Sequence, residues 1–99
     1  MLYAIMGEDA PASLDKRKAA RPDHLRRIAG LRDEGRLIIA GPHPAIDAPD
    51  PGPAGFTGSL IVAEFPSLDD AKRWAAEDPY TTGGVFAKVT VKPFRQVLP

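Results

Sequence analysis

Ninety-nine residues leave room for one core and none for a second, cofactor-binding domain. A chain that is 43% hydrophobic and 26% charged is close to globular averages, which excludes disorder, collagen-like repeats and coiled coil. Thirteen Lys and Arg balance thirteen Asp and Glu, so there is no basic footprint for nucleic acid or an anionic membrane, and the absence of Cys removes disulfide and thiolate chemistry. The apolar opening from Met1 to Met6 is too short for a signal segment or a membrane span, and the expected location is the cytoplasm.

In chain order, Leu2 to Gly7 is a short apolar run ending at a glycine and predicts the first strand. Ser13 to Glu34, rich in Leu, Ala, Arg, Lys and Glu, predicts a long helical region closed by Gly35. Pro22 falls inside it and implies either a kink or a fresh helix starting there. Leu37 to Ala40 predicts a second strand, after which five prolines between Pro42 and Pro53 enforce an extended, non-helical loop: a site wall, an interface arm or a stiff connector. Ser59 to Phe65 predicts a third strand. Ser67-Leu-Asp-Asp70 matches a capping box and starts a second helix, which carries Leu68, Ala71, Trp74 and Ala75 at helical spacing and stops at Asp78-Pro79. After Gly83 and Gly84, Val85, Ala87, Val89 and Val91 alternate with Phe86, Lys88, Thr90 and Lys92, predicting a fourth strand with one apolar face.

The order β-α-β-β-α-β is that of the α+β, ferredoxin-like split-βαβ fold, with both helices on one face of an antiparallel sheet. The first and third strands are apolar on both faces, and the chain offers no third helix to cover the second one. The economical solution is a second copy packing sheet against sheet, so a homodimer is expected.

Chemistry can sit along the first helical region, where Arg17, Arg21, His24, Ile28, Leu31 and Gly35 recur at alternating spacings of four and three. Ile28 and Leu31 must face the sheet, so His24 points inward too. A histidine near arginines suits proton transfer near neutrality, while a hydrogen-bonded core histidine is the plainer reading; spacing leaves both open. Asp78 continues the buried stripe of the second helix at its C-terminal end, where a carboxylate opposes the helix dipole and a histidine partner would compensate; an ordinary Asp-Pro helix stop is the competing reading. Gly41-Pro42 and Gly55 to Ser59 offer backbone donors and a hydroxyl but match no phosphate-binding fingerprint, and His43 between two prolines reads as solvated. Two histidines with no carboxylate at ligand spacing give no metal motif.

Taken in order, Arg17, Arg21-Pro22, His24-Leu25, Asp33-Glu34-Gly35-Arg36-Leu37, Ala40-Gly41-Pro42, Gly55-Phe56-Thr57-Gly58-Ser59, Asp78-Pro79-Tyr80 and Val91-Lys92-Pro93-Phe94 resemble the YciI, or YCII-related, family across nearly the whole chain. The resemblance implies a single domain over residues 1–99 and a dimeric α+β barrel of ferredoxin-like subunits. It further implies a His–Asp active site, which maps onto His24 and Asp78, with Arg17, Arg21, Gly41, Pro42, Ser59 and Tyr80 as candidate ligand-binding residues. A relative in that family is a dehalogenating lyase of aromatic-ring degradation. The expected function is therefore a small, cofactor-independent enzyme of lyase or isomerase type, in which His24 moves a proton, Asp78 orients it, and Arg17 or Arg21 holds an anionic or enolate oxygen. Hydroxylated aromatics or lactone-like acids fit such a site. A non-catalytic dimer that binds a small molecule in the same cleft is the alternative.

Overall fold

A computed structural model covering residues 1–99 contains β1 (Leu2–Asp9), α1 (Leu14–Asp33), β2 (Leu37–Pro44), a single 3-10 turn (Gly52–Ala54), β3 (Phe56–Glu64), α2 (Leu68–Ala76), α3 (Pro79–Thr82) and β4 (Phe86–Phe94). The strands form one antiparallel sheet in the order β2-β3-β1-β4, the ferredoxin-like α+β arrangement expected from the element order. Tyr3 and Ile5 of β1, Ile61 and Ala63 of β3, Ile28 and Leu31 of α1, and Ala71 and Ala75 of α2 build the core between sheet and helices. None of the helices is long and apolar enough to cross a membrane.

Several boundaries differ from expectation, each for a local reason. α1 runs unbroken through Pro22, so no fresh helix starts there; the helix continues despite the missing N–H, with Ile28 and Leu31 anchoring its second half in the core. It ends as the sequence suggests, with Gly35 at φ 73° and the Arg36 amide bonded back to Leu31 O. β2 continues four residues beyond Ala40, because Pro42 and Pro44 sit on the outermost strand of the sheet, where a missing N–H breaks no ladder bond. The loop that follows is not wholly extended, since it contains the 3-10 turn, and it closes on itself through Ala45 N to Gly55 O at 2.9 Å. β3 begins at Phe56 rather than Ser59.

Two corrections reach the site. α2 ends at Ala76, and Asp78 starts α3 rather than finishing α2: its carboxylate accepts the Tyr80 amide at 2.8 Å. The dipole expected to oppose this carboxylate therefore favours it. Ser67 caps α2 as foreseen, accepting the Asp70 amide at 3.1 Å. In β4, a register shift opposite Glu8 and Asp9 breaks the alternation, so Phe86 does not share a face with Lys88. Its ring lies over Gly7 on the helix side, 5.5 Å from the Tyr80 ring and nearly perpendicular to it.

The other face of the sheet carries Ala4 and Met6 of β1, Leu60 and Val62 of β3, and Ile39 of β2, which pairs with Val62 and is 57% exposed. None of the three helices packs on this side.

Candidate active site

At the end of the core nearest α3, apolar packing gives way to five buried polar or aromatic residues: Arg17, His24, Ser59, Asp78 and Tyr80. α1 contributes Arg17 and His24, seven residues apart and so on one face. β3 contributes Ser59, and the α3 start contributes Asp78 and Tyr80.

His24 donates from Nδ1 to Asp78 Oδ1 at 2.7 Å, with both side chains almost wholly buried. A carboxylate in this place accepts, so the hydrogen of the neutral ring is on Nδ1 and the lone pair is on Nε2. Nε2 makes no hydrogen bond within the chain, yet it is not among the sealed-off polar atoms; the small exposed part of the ring therefore includes it. Tyr80 stacks on the imidazole with centroids 3.7 Å apart and planes 10° from parallel. Phe86, seated on Gly7, meets the Tyr80 ring nearly perpendicular to it. The ring orientation is thus fixed by one hydrogen bond and one stacked face.

Arg17 is committed to structure along one edge. Its Nε and Nη2 grip Asp9 at 2.9 and 2.8 Å, and Nη2 also reaches Gly58 O at 3.2 Å and Ser59 Oγ at 3.1 Å. Nη1 takes no part in these bonds. The guanidinium carbon lies 4.7 Å from the Tyr80 ring centre and 5.3 Å from that of Phe56. Burial pushes the Tyr80 phenol above its ordinary pKa, with the Asp78 charge adding to the rise, while the Arg17 and Arg21 charges pull it down. Arg21 is exposed and makes no ion pair.

Of the remaining expected residues, Pro42 pairs with Ser59 across the β2–β3 ladder and shares its face, whereas Gly41 pairs with Leu60 and points to the opposite side. His43 is exposed on that opposite side too, as its solvated reading required. Sequence reasoning missed Asp9, Arg27, Phe56 and Phe86. Arg27 was accessible from spacing, three residues after His24 and so on a neighbouring face; Phe86 was hidden by the register shift that reverses its side, and Asp9 lay beyond the expected end of the first strand at Gly7. No group of three or more His, Asp or Glu side chains could hold a metal ion.

Open grooves lie elsewhere: one of about 630 Å³ along His43 to Pro49, and one of about 300 Å³ between Arg36, Phe65 and Trp74. Neither carries the chemistry of the His24 cluster.

The YCII-related domain family matches residues 1–95. The chain belongs to this family. Protein YciI of Escherichia coli O6:H1 is 56% identical over 97 residues, covering 98% of this chain and 99% of that protein. An uncharacterized protein of Haemophilus influenzae is 53% identical over the same span. Among solved structures, 5-chloro-2-hydroxyhydroquinone dehydrochlorinase (TftG) of Burkholderia phenoliruptrix AC1100, in complex with 2,5-dihydroxybenzoquinone, superposes with a TM-score of 0.84 at 27% identity, covering 96% of this chain and 94% of that one. The YCII-related fold is thus shared with a protein that binds a small cyclic ligand.

Proposed function

We propose that this YCII-related chain is a small enzyme of lyase or isomerase type, working without a cofactor on a compact hydroxylated ring or lactone-like acid, with His24 as its proton-transfer group. The observation that carries the reading is the buried His24–Asp78 hydrogen bond at 2.7 Å, which leaves Nε2 with a lone pair and no partner. In this reading Nε2 takes a proton from a substrate carbon or hydroxyl. Asp78 stabilises the imidazolium through Nδ1–H, and the proton then returns to another atom of the same molecule. In an elimination the electron pair released at the deprotonated atom instead expels the leaving group, and the proton departs with it as the acid.

The two arginines have different roles. Arg17, neutralised by Asp9, supports Ser59 and the Tyr80 ring and offers only Nη1; Arg21, unpaired, is the better holder of oxygen charge that develops on the substrate. Ser59 and Pro42 line the β3–β2 side. The name and bound ligand of TftG favour a hydroxylated aromatic over a lactone. A second copy of the chain covers the free sheet face and makes the functional unit a homodimer. The alternative, a binding dimer without turnover, draws on how nearly sealed the pair is, with His24 only 5% exposed.

A panel of hydroxylated aromatics that includes a chlorinated trihydroxybenzene, followed by absorbance and by halide release, distinguishes these readings. Turnover that falls about 10²–10⁴-fold in His24→Ala supports the enzyme. Saturable binding of panel members without turnover supports the binding dimer.

A further inference from the structure

Asp78 is held unevenly. Oδ1 accepts from both His24 Nδ1 and the Tyr80 amide, whereas Oδ2 is the one buried side-chain polar atom with no hydrogen bond. A buried carboxylate oxygen in that condition is expensive unless a charge compensates it. The cation that faces it is Arg27, whose Nη1 stands 3.5 Å from Oδ2: close enough for ionic attraction, but not aligned for a hydrogen bond. The same nitrogen donates to Trp74 O at 2.9 Å, and the guanidinium lies 4.3 Å over the Trp74 ring. Arg27 is thereby clamped to α2 while its own helix carries His24.

We infer that Arg27 is a positioning residue for the His24–Asp78 pair, facing the unbonded Oδ2 and, by offsetting part of the Asp78 charge, setting how tightly His24 holds its second proton. Any effect on turnover rests on the function proposed above; the effect on His24 itself does not. The sign follows from the charges. Asp78 favours the imidazolium, and Arg27, facing the far oxygen, offsets part of that field. The other groups around the ring stay constant when Arg27 is changed: Arg17 is paired to Asp9 of β1, Arg21 is exposed on α1, Tyr80 faces from α3, and β4 presents only the uncharged Phe86.

The test is an NMR pH titration of the ring protons of His24 in the ligand-free protein, with His43→Gln used to assign the only other histidine. In Arg27→Met, which keeps an apolar stem against Trp74, His24 should titrate higher by on the order of half a pH unit or more. Arg27→Lys, which restores a charge, should bring the value back towards that of the native protein. An unchanged His24 titration in folded Arg27→Met overturns the inference, as does an equal displacement in the Met and Lys variants, which would mark a packing effect. If Arg27→Met does not fold, Arg27→Gln keeps an N–H for Trp74 O and carries the same expectation. Failure here leaves the proposed function standing, because that reading is decided by turnover in His24→Ala.

Discussion

At the scale of single residues, the polar cluster mixes groups that hold the protein together with groups that have little packing to do. His24 is at the polar end of the α1 stripe, and Ile28 and Leu31 carry the apolar contact. His24→Ala should therefore fold, with a stability loss within the roughly 0.5–3 kcal/mol usual for one substitution, whereas Leu31→Ala should lose about 2–5 kcal/mol through the cavity it leaves. Denaturant titration of both variants checks the contrast. Tyr80 gives the pH signature. Because burial raises its pKa above the ordinary 10.0, the folded state keeps the phenol neutral longer than the unfolded state does. The stability that this provides is complete below about pH 10 and is lost as pH rises through the higher folded value. Thermal melts from pH 9 to 11.5 should show a steeper alkaline decline in the native protein than in Tyr80→Phe; parallel curves would mean that the phenol ionises without unfolding cost.

At the scale of elements, what could be read from the chain depended on whether the signal was periodic or positional. The inward turn of His24 and the Ser67 cap were both legible, because helical spacing and a capping box are local patterns. The role of Asp78 was half legible: the stripe left a histidine partner and an Asp-Pro stop both open, and only the family resemblance matched it to His24; its place at the start of α3 left no signal, since a four-residue helix is too short to leave a periodic trace. The Phe86 reversal was illegible. One extra residue in β4 flips every side chain beyond it, and only the partner strand reveals where that residue falls. The flip is what seats the Phe86 ring on Gly7 and against Tyr80. A Cβ at Gly7 would come within 2.5 Å of that ring, so Gly7→Ala should destabilise by about 1–3 kcal/mol and disturb the near-ultraviolet signal of the aromatic stack. Gly41→Ala, where a Cβ meets nothing within 4 Å, is the matched control and should leave both unchanged.

At the scale of the whole molecule, one sheet face is packed and the other carries Met6, Leu60, Val62 and Ile39 with no helix over it. If a second copy covers that face, light scattering at micromolar concentration should give about twice the 10.6 kDa chain mass, and Ile39→Lys should shift the protein towards monomer. A native monomer would contradict the paired reading; higher multiples of a dimer would not. The outer strand of the same sheet bears on how such assembly could go wrong. β2 has its flank unpaired, and an unpaired flank is a template on which another chain can extend the ladder into an aggregate. Pro42 and Pro44 strip two hydrogen-bond donors from that strand, and at the opposite rim β4 carries Lys88, Lys92 and Pro93. Growth sideways is blocked at both rims while the broad apolar face stays available, so the protein can be sticky in one direction and remain proof against runaway polymerisation in the other.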